Sequence, residues 1–344
     1  MRIARKEGIP VFAIGKNDEA ALVARRFQIE AILDDSAKAG ETWRGIRVLR
    51  PDEMPSESWV VNCSSSVAPR SAARRITILR PRATIDSYFD LCAADPESFP
   101  APHFVKEMKE DLKKNPSKWA WLRSLLQEDK SQKVLADLIT FRSTGDPAAL
   151  SSYNVRLEQQ YFEPFVDFGP GEVYVDCGGF DGDTAEGFIR RASGYRKIWF
   201  FEPSPSNMKK ARQRLEKFPK IFFVQEALSD QPGFLKFNPD MGSASTVQCS
   251  GDFEVAVCTL DERVTDRVSF IKMDLEGWEL LALKGAARRI TADHPKLAIA
   301  VYHRAWDFWK VPKLILGLNP DYDVYLRHYT EGWSESVMYF IPRK

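Results

Sequence analysis

The chain is short of the residues that staple secreted or metal-bound folds together. Cysteine occurs five times in 344 residues, at Cys63, Cys92, Cys177, Cys249 and Cys258. These are scattered and odd in number, with no Cys-x-x-Cys pair, which argues against a disulfide framework or a structural zinc site and fits a reducing compartment. No apolar run approaches the roughly 18 residues of a membrane span, and the stretch after Met1 lacks an apolar signal region. A soluble, cytoplasmic protein without a membrane partner is expected. Charge excess is missing too: 49 Lys+Arg against 48 Asp+Glu leave a net charge of +1. There is no global field to draw in nucleic acid or an anionic membrane. The local basic run Arg70 to Arg82, with Arg74, Arg75 and Arg80, reads as a solvated face, so no nucleic-acid partner is expected.

What is present suffices for two cores. A length of 344 residues suggests two domains, and 44% hydrophobic residues supply the apolar surface. Three parts are expected: residues 1-84, 85-165 and 166-344. The first reads as a small Rossmann-like βαβ unit, with a strand Ile9 to Ile14, a helix Glu19 to Phe27, a strand from Ala31 to Asp34-Asp35 and another from Trp59 to Cys63. Gly15 begins what would be a phosphate loop, but Lys16-Asn-Asp18 follows without the second and third glycines of a dinucleotide fingerprint. The unit is therefore either structural or protein-binding, or a small-ligand or nucleotide-sugar site near Gly15 and Asp34-Asp35. The second part is helical, with apolar residues at three- and four-residue spacing over Phe104 to Lys114, Trp119 to Gln127 and Gln132 to Phe141. It reads as a connector, with Trp119, Trp121, Tyr161 and Phe162 as alternative walls of a substrate cleft.

The third part carries the chemistry. Val173-Tyr-Val-Asp176 is a strand that breaks into Cys177-Gly-Gly-Phe-Asp-Gly-Asp-Thr184. Gly178, Gly179 and Gly182 permit the backbone angles of a ligand-cradling turn, and Ala185 to Arg191 reads as a helix with Asp183 or Thr184 as its cap. A second strand, Lys197 to Phe201, ends in Glu202, about 25 residues after Asp176, the separation of one βαβ unit. An acid there can bind ribose hydroxyls. A third strand, Ile221 to Gln225, closes in Glu226-Ala-Leu-Ser229-Asp230. Short strands Gly233 to Phe237 and Glu254 to Cys258 flank a Gly242-Ser-Ala-Ser245 loop, and Thr259-Leu-Asp261-Glu opens a helix. A fourth strand, Ser269 to Met273, runs into Asp274-Leu-Glu276-Gly277, and a fifth, Leu297 to Val301, ends in Tyr302-His303. Tyr322 to Arg327 and Val337 to Ile341 form a closing antiparallel pair. The expected architecture is α/β: a C-terminal seven-stranded, mostly parallel sheet, preceded by the small βαβ domain and the helical connector. In such a sheet the strand ends at Gly178, Glu202 and Ser229-Asp230 converge on one crevice.

A sheet closed by a C-terminal hairpin, with an acidic strand end before its glycine loop, resembles the class I S-adenosylmethionine-dependent methyltransferase fold. The resemblance narrows at Asp176-Cys-Gly-Gly-Phe-Asp-Gly-Asp-Thr184, Phe201-Glu-Pro203, Glu226-Ala-Leu-Ser-Asp230, Thr259-Leu-Asp261 and, above all, Phe270-Ile-Lys-Met-Asp-Leu-Glu-Gly-Trp-Glu279 through Lys284-Gly-Ala286. These segments are similar to the FkbM methyltransferase family over roughly half the chain, from about residue 157 onward. The family loop often has Ala-Asn where this chain has Gly179-Phe180.

The resemblance implies methyl transfer from S-adenosylmethionine to an oxygen, often a hydroxyl of a sugar or natural product. It implies a cofactor site at Asp176, Gly178, Gly179, Asp181, Gly182, Thr184, Glu202, Ser229, Asp230 and Asp274. Asp274 faces the reaction zone, and His303 is the expected base for the hydroxyl proton. Glu276 either holds the Gly277 turn or, with Tyr302, binds the acceptor. His294 reads as a loop residue. No metal is assigned, with a divalent ion on Asp274, Glu276 and His303 as the alternative. Two other functions compete. An NAD-dependent nucleotide-sugar oxidoreductase or epimerase suits two Rossmann-like parts, but the chain lacks a full Gly-x-Gly-x-x-Gly and any Tyr-x-x-x-Lys pair. A non-catalytic cofactor-binding scaffold is opposed by the intact acids Asp176, Glu202 and Asp274. The expected partner is a small-molecule or saccharide acceptor, with homo-oligomerisation left open.

Overall fold

The computed structural model describes residues 8-237 and 253-343. The Gly242 to Ser245 loop and Cys249 lie outside the described residues. The chain divides into two compact units, neither a single stretch of sequence. Unit 1 takes residues 1-113, 136-155 and 329-334, and unit 2 takes residues 114-135, 156-328 and 335-344. Residues 85-165 are thus shared between the two.

Unit 1 holds a larger sheet than one βαβ motif. Its strands are β1 (Val11–Ile14), β2 (Ala31–Leu33), β3 (Thr42–Trp43), β4 (Ile46–Leu49), β5 (Trp59–Asn62) and β6 (Thr84–Ser87). They lie in the order β3-β4-β2-β1-β5-β6, all parallel except the short β3. Every residue of β1 and β5 is buried, as expected of central parallel strands covered on both faces. Residues from far along the chain complete the unit: the Glu331 carboxylate accepts from the Ser71 amide at 2.8 Å and the Ser71 hydroxyl at 2.6 Å. The arginines of the 70-82 run are engaged locally, Arg75 with Asp35 and Arg80 with the Met54 carbonyl.

Unit 2 begins its sheets with β7 (Val173–Cys177), β8 (Lys197–Phe201) and β9 (Ile221–Val224), joined through helices Asp183–Arg191 and Pro205–Leu215. Three short strands follow, β10 (Ala227–Leu228), β11 (Gly233–Phe237) and β12 (Phe253–Cys258), forming a separate sheet in the order β10-β12-β11. The chain then returns through β13 (Phe270–Met273), β14 (Lys296–Ala300), β15 (Tyr322–His328) and β16 (Ser336–Pro342). The main sheet has seven strands in the order β15-β16-β14-β13-β7-β8-β9, with β16 antiparallel to both neighbours. This is the expected seven-stranded sheet with its closing hairpin. Strand order reverses about β7, which has β8 on one side and β13 on the other, so the crevice outside their carboxyl ends is the topological switch point.

An aromatic layer fixes that sheet. Tyr174, fully buried on β7, stacks at 4.4 Å on Phe188 of the first helix and at 5.2 Å on Phe270 of β13. Burying one such ring contributes about 2–3 kcal/mol, and ring pairing adds about 1 kcal/mol. Two details depart from the sequence reading. Helix Asp183–Arg191 is preceded by Gly182 as its N-cap, in the left-handed region at φ 88°, and not by Asp183 or Thr184. Asp183 instead occupies the first helical position, where its carboxylate accepts from the Thr184 amide at 2.7 Å. Ser229 and Asp230 follow β10 of the small sheet rather than the third strand of the main one. Thr259 does cap helix Leu260–Arg263, its hydroxyl accepting from the Glu262 amide.

Gly285 allows a close approach of this kind, since a Cβ there would run into the Ser229 carbonyl oxygen, which is backbone and cannot swing aside. Gly285→Ala should therefore destabilise the protein by about 2 kcal/mol or more. Gly317, in helix Asp307–Leu318, has nothing within 4 Å of its would-be Cβ. Gly317→Ala should be neutral or stabilising by up to about 1 kcal/mol. Urea denaturation of the two variants checks this, and equal midpoints would contradict the assignment.

Candidate functional site

The strand ends of β7 and β13 are locked by a buried ion pair. Asp176 and Lys272 stand directly opposite each other in the parallel register of the two strands. Lys272 Nζ lies 3.1 Å from Asp176 Oδ1 and donates at 2.6 Å to the carbonyl of Gly178. Both side chains are almost wholly buried. Burial disfavours the Lys272 charge, but Asp176 and Asp274 outweigh it and hold the ammonium above its usual range. Asp176 thus lies beneath the glycine loop and braces it. The loop sits close on its neighbour strand: a Cβ on Gly178, at φ 78°, would meet the Asp274 carbonyl, and one on Gly179 would enter the Phe200 ring. Glycine is required at both positions by sterics.

Glu202 closes the other side of the loop. Its Oε2 accepts from the Phe180 amide at 3.0 Å and its Oε1 from the Ser204 amide at 2.8 Å. Burial raises its pKa against the pull of these donors. A carboxylate has about four lone-pair sites, so two backbone bonds leave capacity for hydroxyl donors. Phe180 adopts φ 49°, a left-handed conformation that asparagine tolerates and a bulky side chain resists. The family's asparagine matches this backbone, and the Glu202 bond holds Phe180 in it. Asp181 is drawn outward, paired with Arg214 at 2.6 Å. Thr184 sits in the first turn of the following helix, whose acids are Asp183 and Glu186.

The second cluster gathers after β13 and β14. Asp274 accepts from the Tyr161 hydroxyl at 2.7 Å and from the Tyr302 hydroxyl at 3.3 Å. Glu276 and Gly277 both take left-handed angles, φ 52° and 96°, which turn the chain back. That turn is held by Glu279, whose Oε1 accepts from the Leu275 amide at 2.7 Å and the Gly277 amide at 3.3 Å. His303 lies amid these acids: Nδ1 is 3.1 Å from Glu279, and Nε2 is 3.2 Å from Glu276 and 3.5 Å from Asp274. Burial opposes its charge, yet Glu279, Glu276 and Asp274 together raise the imidazole pKa well above its usual value. His303, the expected base, thus stands within reach of three carboxylates.

Tyr161, Gln160, Glu279 and Glu335 complete the site and were not assigned to it from sequence, beyond Tyr161 as an alternative cleft wall. Gln160 Nε2 donates to Glu335 at 2.7 Å and to the Tyr161 hydroxyl at 3.1 Å. Burial and the nearby Asp274 push the Glu335 carboxyl up to about 7. Trp119 packs in the interior, 5.8 Å from Phe308. The structure brings together Gly178, Gly179, Glu202, Asp274, Glu276, Tyr302 and His303. Ser229 bonds instead to Asp230, at 3.2 Å, and to the Cys258 carbonyl through its amide. His294 caps a helix and faces the Asp321 carbonyl.

In unit 1, the Gly15 region borders a cavity of about 260 Å³ that includes Asp34, Asp35 and Arg75. Lys16 spans Asp34 and Glu41, each at 2.7 Å. Burial works to raise the Asp34 carboxyl, but Lys16 and Ser36 hold it down to about 2. The adjacent helix Asp18–Phe27 is capped by Asn17 and opens with Asp18 and Glu19, acids that offset the pull of its N-terminal end on a phosphate.

The Lys272–Asp176 pair generates a stability prediction. Lys272→Met strands a buried carboxylate and should cost about 3–5 kcal/mol, whereas Lys272→Met combined with Asp176→Asn should recover much of that loss. Denaturant midpoints of the three proteins test it, and an unchanged single variant would remove the pair as the brace of the loop.

Among the described residues, no helix is long and apolar enough to cross a membrane. No curated protein matches the chain in sequence. A solved methyltransferase FkbM from Methylobacillus flagellatus KT is similar at 23% identity, with a TM-score of 0.72 over 96% of this chain and 89% of the other. An rRNA methylase from Streptococcus thermophilus shares 13% identity at a TM-score of 0.35, over 52% of this chain and 90% of that one. Fibrillarin from Aeropyrum pernix, solved with S-adenosyl-L-methionine, shares 15% identity at a TM-score of 0.36, over 54% and 71%. The first of these likenesses establishes an α/β fold of the methyltransferase type. Residues 176–331 match the methyltransferase FkbM domain.

Proposed function

We propose that this methyltransferase transfers a methyl group from S-adenosylmethionine to a hydroxyl of a saccharide or glycosylated small molecule. The observation that carries the reading is a switch-point crevice rich in carboxylates and poor in available cations. Lys272 is committed to Asp176 and Arg214 to Asp181, while the helix after the glycine loop opens with Asp183 and Glu186. A dinucleotide's pyrophosphate finds little to hold it there. A sulfonium cofactor with an ammonium end and a ribose suits these groups. The loop Gly178 to Gly182 would receive its amino-acid end, and Glu202 its ribose hydroxyls. When bound, the cofactor supplies an electrophilic methyl carbon.

The residues of the chain orient the acceptor and receive its proton. As the acceptor oxygen took up that methyl group, a base of the chain would receive its hydroxyl proton. In-line positioning supplies much of the rate. Tyr161 and Tyr302 fix Asp274 toward the reaction zone. We assign the proton to Glu276, the most exposed of the carboxylates around His303, at 28% against 17% for Asp274 and 1% for Glu279.

Calorimetry with S-adenosylmethionine, S-adenosylhomocysteine and NAD tests the cofactor. The first two should bind and NAD should not, and NAD binding without S-adenosylmethionine binding would overturn the reading. Glu202→Ala should weaken S-adenosylmethionine roughly tenfold or more, from the loss of charge-assisted bonds. Glu276→Gln should leave that affinity unchanged and slow methylation roughly 10²-fold or more, scored as a one-methyl mass gain across a glycan panel. An unaltered rate takes Glu276 out of the mechanism.

A further inference from the structure

His303 is enclosed by acids in a way that hydrogen bonding within the chain does not explain. Its side chain is only 7% exposed, yet neither ring nitrogen has a hydrogen-bond partner among the described residues, nor does Glu279 Oε2. The nitrogens lie at 3.1 to 3.5 Å from three carboxylates without the alignment of hydrogen bonds. Donor atoms gathered around a common point have that arrangement. Asp274, Glu279 and His303 each offer one ligand atom, all within 4.8 Å of one another. Around a cation bound at about 2.1 Å, adjacent donors stand about 3 Å apart and opposite ones about 4.2 Å, so a small contraction by side-chain rotation closes the set.

The geometry points to a divalent cation site of the Mg²⁺/Mn²⁺ class formed by Asp274, Glu279 and His303. Two carboxylates and one imidazole form a mostly hard donor set, and the nitrogen favours Mn²⁺ within that class. The first turn after β13 explains how the set is held. Glu279 Oε1 is fixed by the Leu275 and Gly277 amides, which leaves Oε2 for the ion, and the Tyr161 and Tyr302 hydroxyls orient Asp274 from outside. Such outer partners tune a bound metal. The expected cation alternative used Glu276; here Glu279 is the inner carboxylate, and Glu276 stays at the rim. The site's role in catalysis rests on the proposed methyl transfer, where a cation beside the acceptor oxygen lowers the pKa of the hydroxyl that Glu276 deprotonates. Its existence does not depend on that reaction.

The test is Mn²⁺ titration of the full chain followed by electron paramagnetic resonance, with no methyl donor present and Mg²⁺ as competitor. One Mn²⁺ per chain is expected, displaced by Mg²⁺. His303→Ala and Glu279→Gln should each weaken it roughly tenfold or more, while Glu276→Gln changes it less than about threefold. Circular dichroism confirms folding, and Asp274→Asn stands in for either variant that fails to fold. Absence of a bound ion at millimolar Mn²⁺ overturns the site, as does wild-type affinity in the folded variants. Calorimetry with S-adenosylmethionine in chelator separates the two claims. Cofactor binding by a chain that takes no Mn²⁺ overturns the cation site alone, and Mn²⁺ binding by a chain that takes no cofactor upholds it.

Discussion

The ion pair between Lys272 and Asp176 is the constraint on which the site depends. Two opposite charges facing each other across neighbouring buried strands set the register of β13 against β7, because a shift of one residue would bury each without its partner. The same lysine reaches the Gly178 carbonyl, so the start of the loop is tied to the strand pair. The Cβ-less Gly178 then lets the loop touch the Asp274 backbone. One buried cation therefore places the glycine turn and the Asp274 segment side by side.

A second tier of carboxylates works on backbone amides. Glu202 holds Phe180 and Ser204, and Glu279 holds Leu275 and Gly277. Both secure non-glycine residues in left-handed angles, Phe180 directly and Glu276 through its neighbours. Each such residue costs of order 1–3 kcal/mol and persists only where the surroundings hold it. That the two lie at the two strand ends bordering the crevice is the pattern of strain stored beside a functional site. Phe180, the position that fits the family pattern least by residue type, fits it by backbone conformation.

Legibility from sequence differed between fold and site for physical reasons. Apolar runs such as Val173 to Val175 and Leu297 to Val301 announce buried parallel strands, and the hairpin at the end announces the antiparallel pair. Residues adjacent to strand ends, such as Glu202 and Asp274, were likewise visible because topology alone puts them at the crevice. Glu279 was visible only as a letter of a motif, since its contacts with His303 span 24 positions of chain. Tyr161, Gln160 and Glu335 carried no local signal: their partners lie over 100 residues away. The surroundings of His303 were out of reach for the same reason, because three carboxylates from another strand end form them.

The amino-acid sequence by itself determined the order of strands and helices and the seven-stranded sheet, since these follow from local periodicity and from spacing along the chain. Tertiary structure alone decided what the acids do. It put Asp176 under the loop as the partner of Lys272, gave Glu202 and Glu279 their backbone amides, and surrounded His303 with carboxylates. Charge and proton affinity depend on distance and burial in three dimensions, and neither is written in the order of residues.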